Sequence, residues 1–204
     1  MAFVQDINAR VRSVPPVAIY MVGAVPALWL FAQAAMGWLG ADPVKALERG
    51  LGLWALKLIV AGLCITPLRR FAGVNLVGWR RAVGVLAFSY LVLHLLSWVV
   101  LDMGLLWGQM LADIARRPYV TMGMAGFLML LPLAATSNNL AVRRLGATRW
   151  RKLHRLVYPA ALAGAVHYIW LVKAWPVGPF VYLAAILVLL ALRVARRRPV
   201  RVLA

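Results

Sequence analysis

Three histidines are the residues best suited to chemistry in this chain of 204 residues. His94 lies in the apolar stretch FSYLVLHLLSWVV, and His167 lies in the apolar stretch PAALAGAVHYIW. His154 lies instead in the basic sequence RWRKLHRL. A neutral imidazole carries one N–H donor and one lone pair, so it can bind a metal ion or accept a hydrogen bond without burying a charge.

Long apolar helices must position these histidines. The chain is 64% hydrophobic and its mean hydropathy is +0.84. Its apolar runs approach the roughly 20 residues that a helix needs to cross a bilayer. We predict an all-α integral membrane protein, a bundle of six transmembrane helices in a single domain over residues 1–204, with only short loops between spans. The predicted spans are residues 17–36, 51–68, 82–101, 119–136, 156–173 and 176–194.

The distribution of charge predicts the orientation of these spans. The formal net charge is +18, and most of the 23 lysines and arginines fall on one side of the six spans. That side holds Arg10, Arg12, Arg69, Arg70, Arg80, Arg81, Arg143, Arg144, Arg149, Arg151, Lys152, Arg155, Arg193, Arg196, Arg197, Arg198 and Arg201. The other side holds Lys45, Arg49, Arg116, Arg117, Lys173 and the acids Asp42, Glu48, Asp102 and Asp113. This positive-inside pattern predicts that both termini are cytoplasmic. We therefore expect the basic loops to set the orientation of the spans and to contact anionic lipid, not to bind nucleic acid.

His94 and His167 reach a similar depth in the predicted bundle. His94 follows Arg81 at the start of the third span, and His167 follows Arg155 at the start of the fifth span by a nearly equal interval. At about 1.5 Å per residue, the two intervals correspond to roughly 20 Å and roughly 18 Å along the helices. Both helices leave the cytoplasm in the same direction, so we expect both histidines in the outer half of the bilayer.

Two imidazoles that face each other between helices are suitable ligands for haem b. Haem is a flat apolar disc whose iron takes an axial ligand on each face, and neutral imidazole supplies that ligand without burying a charge. Helix bundles build such sites from facing side chains. A single intramembrane histidine more often hydrogen-bonds to a neighbouring helix. The matched depth of two histidines favours ligation of one haem iron by His94 and His167.

His154 lies at the predicted cytoplasmic edge and precedes His167 on the same predicted helix. An ideal helix would separate the two by about 20 Å and about 140°, and Pro159 between them can change that phase. His154 could bind a second haem or contact a flavin or a quinone. The third span offers only Arg80 and Arg81 near its start, so a second haem would need another ligand or a five-coordinate iron. The alternative is an interfacial histidine among arginines.

Polar residues near His154 are candidates for the electron-entry side. The sequence TSNN, residues 136–139, ends the fourth predicted span. We expect Ser137 and Asn138 to satisfy the helix end. Facing the basic cluster that contains Arg151, they could instead line a pocket for a quinone or a flavin phosphate.

Several other kinds of chemistry are missing from the sequence. It contains no dinucleotide fingerprint, Walker motif or Ser/His/Asp arrangement, and the single Cys64 excludes a CxxC motif or an iron–sulfur ligand set. The spans carry almost no acids, which argues against a transporter with a carboxylate pathway. A membrane anchor without a cofactor is a further alternative.

Three segments resemble the ferric reductase-like transmembrane domain. They are LGATRWRKLHRLVYPAALAGAVHYIW, GWRRAVGVLAFSYLVLHLL and LPLAATSNN. The resemblance covers about residues 45–195, and its most specific part is the W-x-x-L-H-R-L-x-Y core, followed by a second histidine later in the same segment. Six spans and the lack of an attached flavin or nicotinamide domain resemble one branch in particular. That branch comprises the haem-binding membrane subunits of bacterial periplasmic protein-methionine-sulfoxide reductase systems.

The resemblance implies a b-type cytochrome of the bacterial inner membrane that acts as an electron-transfer subunit. It would pass electrons from the quinone pool or a cytoplasmic flavin donor to a periplasmic molybdopterin-containing methionine sulfoxide reductase, its partner in a heterodimer. Terminal catalysis would belong to that partner, and FMN is also associated with the family.

The family's three characteristic histidines match His94, His154 and His167 by position. Two-haem relatives have a further histidine low on the third span, where this chain has arginine. The resemblance therefore leaves open whether one or two haems bind. The same fold serving another acceptor, such as ferric iron, is the alternative function.

Overall fold

The computed structural model describes residues 2–172 and 174–194, and these residues form a helical bundle without strands. The α-helices of this part are α1 (Ala2–Ser13), α2 (Pro16–Ala35), α3 (Pro43–Pro67), α4 (Arg80–Leu96), α5 (Trp107–Arg116), α6 (Pro118–Ala135), α7 (Asn139–Leu153), α8 (Val157–Leu171) and α9 (Val177–Val194). π-helical turns extend α3 (Leu68–Ala72) and α4 (Ser97–Asp102), and 3-10 turns precede α4 (Val77–Trp79) and α8 (His154–Leu156).

The predicted all-α, multi-span membrane fold is confirmed. In the described residues, four helical segments are long and apolar enough to cross a membrane: Pro16–Ala35, Pro43–Ala72, Val77–Asp102 and Pro118–Ala135. Val177–Arg193 is a shorter apolar helix, and α8 contains 15 residues.

The helix α3 begins well before the apolar run that predicted it. The predicted span starts at residue 51, whereas the helix starts at Pro43. The side chain of Asp42 caps it by accepting a hydrogen bond from the Lys45 N–H at 3.0 Å, and proline is favoured at the first helical position. The first turns are polar, so the apolar run marks only the later part of the helix.

Three helices lie where the sequence analysis expects loops or a polar terminus. The segments α1, α5 and α7 are polar or amphipathic, and apolar runs alone do not detect helices of this kind. The expectation of short loops was therefore wrong for α5 and α7. α7 bends at Gly146, whose φ of +73° lies in the left-handed region that glycine adopts readily.

The α1 helix and the last turn of α9 lie at one end of the bundle, which we call the arginine end. Asn8 on α1 donates a hydrogen bond to the Gly73 carbonyl and accepts one from the Asn75 N–H. Arg70, after α3, donates to the Leu192 carbonyl near the end of α9 at 2.9 Å. Some residues used to predict orientation lie outside the described residues, namely Lys173, Arg196, Arg197, Arg198 and Arg201.

The opposite end, which we call the histidine end, joins the start of α3 to the end of α4. Lys45 Nζ lies 2.5 Å from a carboxylate oxygen of Asp102. The start of α6 meets the last turns of α8 at the same end, where His167 reaches the Tyr119 carbonyl. α3 and α4 therefore run antiparallel between the two ends of the bundle.

Tyr90 on α4 is inserted into the hydrogen-bond ladder of α2. Its hydroxyl accepts from the Ala27 N–H at 2.9 Å and donates to the Gly23 carbonyl at 2.6 Å. In a regular α-helix these two backbone groups bond to each other. Pro26 lies next to them and disturbs the ladder. One buried hydroxyl thus satisfies both backbone groups and joins α2 to α4.

A second proline is compensated at the arginine end. Pro67 has no N–H to offer the Leu63 carbonyl one turn earlier. Arg193 on α9 donates to that carbonyl at 2.7 Å and also donates to the Tyr158 hydroxyl at 2.9 Å. The guanidinium therefore ties α9 to both α3 and α8.

The α8 helix packs through small residues. Ala160, Ala161, Ala163 and Ala165 are almost fully buried, and Gly126 of α6 lies against Ala163. Lipid tails are as apolar as the helix surfaces, so membrane helices associate through close packing, which small residues permit. This close approach of α8 to α6 sets the geometry of the site described below.

Replacement of Tyr90 by phenylalanine should destabilise the bundle. The variant leaves the Ala27 N–H and the Gly23 carbonyl without the hydroxyl that satisfies them. A buried unsatisfied group costs about 1–3 kcal/mol, so we expect a loss of that order in the free energy of unfolding. Thermal unfolding in detergent, followed by tryptophan fluorescence, measures it. Tyr20→Phe is the control, and equal unfolding midpoints for the two variants would contradict this role of Tyr90.

Candidate functional site

A cavity of about 320 Å³ lies between α3, α4, α6 and α8, near the histidine end. His94 and His167 line it together with mainly apolar side chains, among them Leu56, Phe127 and Leu130. Ligand sites in proteins typically enclose about 300–1,000 Å³ and combine apolar walls with a few polar groups. The cavity therefore suits a largely apolar ligand that is held by the two imidazoles.

His94 is fixed in one tautomer by the neighbouring helix. Its Nδ1 lies 2.8 Å from the backbone carbonyl oxygen of Glu48 on α3. A carbonyl can only accept a hydrogen bond, so Nδ1 carries the proton and donates it. This arrangement leaves the lone pair on Nε2 of His94 available to a metal ion.

His167 repeats the arrangement on the other helix pair. Its Nδ1 lies 2.7 Å from the backbone carbonyl oxygen of Tyr119 at the start of α6. By the same reasoning Nδ1 of His167 is the donor and Nε2 keeps its lone pair. Each candidate ligand is thus oriented by a backbone carbonyl, which is a common partner of metal-binding histidines.

The two imidazole rings are spaced as a shared metal ion requires. Their centroids lie 6.1 Å apart and their planes meet at 77°. Two metal–nitrogen bonds of about 2.0 Å, with about 1.1 Å from each nitrogen to its ring centre, give about 6.2 Å between opposed rings. Two neutral nitrogen donors in an apolar cavity are a suitable ligand set for haem iron. The residues present therefore fit a haem held by His94 and His167. The two histidines lie at the same level of the bundle, as their nearly equal offsets in the sequence predict.

The histidine end of the cavity has a charged edge. Glu48 and Arg49 contribute to its wall. The Oε2 atom of Glu48 is buried and finds no hydrogen-bond partner within the described residues. Lys57 lies inside the second predicted span and places its Nζ 4.4 Å from the ring centroid of Trp54, which is a cation–π contact.

His154 lies away from this cavity, in the 3-10 turn before α8. Its ring stacks on Trp150 at 3.7 Å between centroids, and its Nδ1 lies 3.1 Å from the Trp150 carbonyl. Its Nε2 is buried and has no partner among the described residues. The 3-10 turn interrupts the continuous helix assumed in the sequence analysis between His154 and His167.

The other predicted cofactor residues lie near the same turn or on the surface beside it. The Asn138 side chain caps α7 by accepting from the Ala141 N–H at 2.7 Å, and Ser137 donates to the Leu133 carbonyl at 2.7 Å. Trp150 donates to the Thr136 carbonyl at 2.8 Å, which holds this loop beside His154. The described contacts of Ser137 and Asn138 are thus with helix ends.

Arg151 is exposed, and its guanidinium lies 3.4 Å from the Thr148 hydroxyl. It does not line the cavity that holds His94 and His167. The proposed roles of Arg151, Ser137 and Asn138 in cofactor binding stay predictions.

The groups that orient the two histidines were not predicted from the sequence. These are the carbonyls of Glu48 and Tyr119, and two glycines against the imidazoles, Gly52 and Gly123. A backbone carbonyl has no sequence signature. The one available signal was a glycine inside an apolar helical run, which often has a packing reason.

Comparison with known proteins agrees with this membrane-helix fold. The profile of the family described as "Ferric reductase like transmembrane component" matches residues 51–165 of the chain. This is more than half of the sequence and includes both His94 and His154. The profile match and the apolar helices define the chain as a ferric reductase-like membrane protein.

Curated relatives identify a more specific family within this class of membrane proteins. Proteins from Brucella ovis, Brucella canis and Brucella suis are each 48% identical to the chain over 178 residues, which cover 87% of the chain and 80% of each relative. Each is named "Protein-methionine-sulfoxide reductase heme-binding subunit MsrQ". The chain belongs to the MsrQ family within the ferric reductase-like transmembrane proteins.

Disruption of the Lys45–Asp102 ion pair should loosen the α3–α4 junction beside the site. Lys45 is 40% exposed and Asp102 is 16% exposed, so solvent screens the pair and we expect a coupling of about 0.5–1 kcal/mol. A double-mutant cycle of Lys45→Met and Asp102→Asn, measured by unfolding in detergent, gives this coupling. A coupling of zero at low salt would show that the pair does not hold the junction.

Proposed function

We propose that the chain is the haem b-binding, electron-transferring membrane subunit of a protein-methionine-sulfoxide reductase system. The observation that carries this proposal is the pair His94 and His167, each with its Nδ1 proton committed to a carbonyl and its Nε2 available, 6.1 Å apart between ring centroids. The names of the MsrQ relatives, which include haem binding, support it.

His94 and His167 would hold one haem b between them. Haem b, when bound, supplies a one-electron carrier inside the membrane. The protein's own contribution is to hold two neutral imidazoles, to keep water away with apolar walls, and to raise the basicity of both ligands through the Nδ1–H bonds to the carbonyls of Glu48 and Tyr119.

We infer six membrane crossings, by α2, α3, α4, α6, α8 and α9. The α1 helix and the last turn of α9 share the arginine end, which requires an even number of crossings between them. The 3-10 turn at His154–Leu156 adds one turn to the 15 residues of α8. Together they approach the length that a bilayer core requires.

The same topology suggests the orientation. The arginine end collects the basic loops and should face the cytoplasm by the positive-inside rule. The haem site would then lie in the outer half of a bacterial inner membrane, with both termini cytoplasmic. Electrons would move from the arginine end toward the histidine end.

The donor side is assigned to the region around His154. Its buried Nε2 has no partner in the described part of the chain, and Ser137, Asn138 and Arg151 lie on the adjoining segments. We propose that this region receives electrons from the quinone pool or a cytoplasmic flavin donor. FMN or a second haem ligated by His154 would be the cofactor on this side.

The acceptor would be a periplasmic, molybdopterin-containing methionine sulfoxide reductase that pairs with this subunit as a heterodimer. Support comes from the reductase system named for the Brucella relatives. Catalysis on oxidised methionine would then belong to the partner. The system would serve the repair of oxidised periplasmic proteins.

Difference spectra test the haem assignment. The dithionite-reduced minus oxidised spectrum of purified protein should show a b-type signal, because haem b held by two imidazoles absorbs differently in its reduced and oxidised states. His94→Ala and His167→Ala should each lose the signal of this haem, since one axial ligand is removed. His154→Ala should retain it. A colourless wild type from haem-replete cells would rule out the assignment.

Reoxidation kinetics test the acceptor. In membranes with the periplasmic reductase, methionine sulfoxide should reoxidise the reduced cytochrome, whereas membranes of a strain that lacks the reductase should show no reoxidation. The family profile also names ferric reductases, so ferric citrate is the comparison. Reoxidation by ferric citrate that does not depend on the reductase, without any response to methionine sulfoxide, would favour ferric iron as acceptor.

A further inference from the structure

Each of the two candidate ligands lies flat against a glycine of the neighbouring helix. A Cβ atom built on Gly52 would lie 3.0 Å from His94 Nδ1 and 3.2 Å from its Cε1. A Cβ atom built on Gly123 would lie 2.8 Å from His167 Nδ1 and 3.0 Å from its Cε1. Any side chain larger than hydrogen at Gly52 or Gly123 would therefore overlap the imidazole that packs there.

The glycine and the carbonyl acceptor have the same register in both cases. Glu48 precedes Gly52 by four residues on α3, and Tyr119 precedes Gly123 by four residues on α6. Residues four apart lie on one face of a helix, one turn from each other. Each imidazole therefore rests on a glycine while its Nδ1–H reaches the carbonyl one turn earlier.

Backbone conformation does not account for these glycines. Both lie inside α-helices, and neither has a positive φ. Alanine is the better residue at such positions because glycine loses more conformational freedom on folding. Gly62, also on α3, differs from them, since a Cβ there would meet only Val83 at an ordinary 3.7 Å. The close contacts at Gly52 and Gly123 are made by the imidazoles.

We infer that Gly52 and Gly123 are positioning residues for the two haem ligands. Their missing side chains let His94 and His167 approach α3 and α6 closely enough to donate Nδ1–H to the carbonyls of Glu48 and Tyr119. That bond selects the tautomer with a free Nε2 and raises its basicity. That the histidines bind haem rests on the proposed function. That Gly52 and Gly123 fix the tautomers of the histidines rests on the geometry alone.

Gly52 and Gly123 should differ in how strongly substitution by alanine displaces the neighbouring imidazole. A contact of 2.8 Å at Gly123 forces the ring to shift, whereas 3.0 Å at Gly52 needs a displacement of a few tenths of an ångström. Both displaced atoms are close to the fixed base of a histidine ring. Gly123→Ala should therefore disturb its histidine more than Gly52→Ala does.

Redox titration of the haem-loaded protein is the first experiment. A weaker Nδ1–H bond makes imidazole a poorer donor to ferric iron, so both variants should raise the midpoint potential, with the larger shift in Gly123→Ala. Loss of such orienting partners typically weakens binding of the group by about 10–100-fold, so haem retention should fall as well. Gly62→Ala on the same helix is the matched control and should titrate like the wild type.

Nitrogen NMR of haem-free protein is the second experiment and does not depend on haem. With ¹⁵N-labelled histidine only three imidazoles contribute, and two-bond correlations distinguish the tautomers. Wild-type His94 and His167 should carry the proton on Nδ1. Gly52→Ala should shift His94 toward the Nε2–H tautomer, Gly123→Ala should shift His167, and His154 should not change in either variant.

The outcomes separate this inference from the proposed function. If both glycine variants match Gly62→Ala in potential, haem retention and tautomer, Gly52 and Gly123 have no positioning role. If the wild type binds no haem but the tautomers respond as expected, the haem assignment fails and the positioning of the histidines stands. Should Gly123→Ala not fold, the smaller perturbation of Gly52→Ala still decides the question at His94.

Discussion

The hydrogen bonds from the two Nδ1–H groups to the carbonyls of Glu48 and Tyr119 are the interactions on which the site depends. Each bond joins two helices, α4 to α3 and α8 to α6. An imidazole in an apolar bundle needs a partner for its N–H, and a carbonyl on a neighbouring helix provides one without introducing a charge. The same bond leaves the lone pair on Nε2 free to accept a metal ion or a hydrogen bond. Structural and chemical requirements are therefore met by one contact at each histidine.

The rest of the bundle follows the same rule that buried polar groups find partners across helices. The Tyr90 hydroxyl bridges two backbone groups of α2 beside Pro26, and Arg193 satisfies the Leu63 carbonyl that Pro67 leaves free. These contacts hold α2 and α9 against the central helices. Small residues on α8 then permit the close approach to α6 that the His167 bond requires. Packing and polar satisfaction thus act together to place the two imidazoles 6.1 Å apart.

Much of this arrangement could be predicted from sequence, because hydropathy and helix rise are local properties. Long apolar runs predict the membrane helices, and nearly equal offsets from basic helix ends predict that His94 and His167 lie at one depth. Azimuth and partners could not be predicted, since they depend on which helix packs beside which. The carbonyls of Glu48 and Tyr119 have no side-chain signature, and the turn at His154 breaks a helix that periodicity alone would continue. The helices α5 and α7 were not predicted either, because they are polar or amphipathic and the prediction used long apolar runs.

Ligation of one iron by His94 and His167 is the central claim, and the electron paramagnetic resonance spectrum of the oxidised protein tests it most directly. Imidazole planes that meet at 77° are nearly perpendicular, which leaves two iron d orbitals close in energy. We predict a low-spin ferric signal with strong anisotropy and one large g value, as two imidazole ligands in that relative orientation produce. A high-spin ferric signal alone would contradict the claim, because it would mean that the second imidazole does not reach the iron.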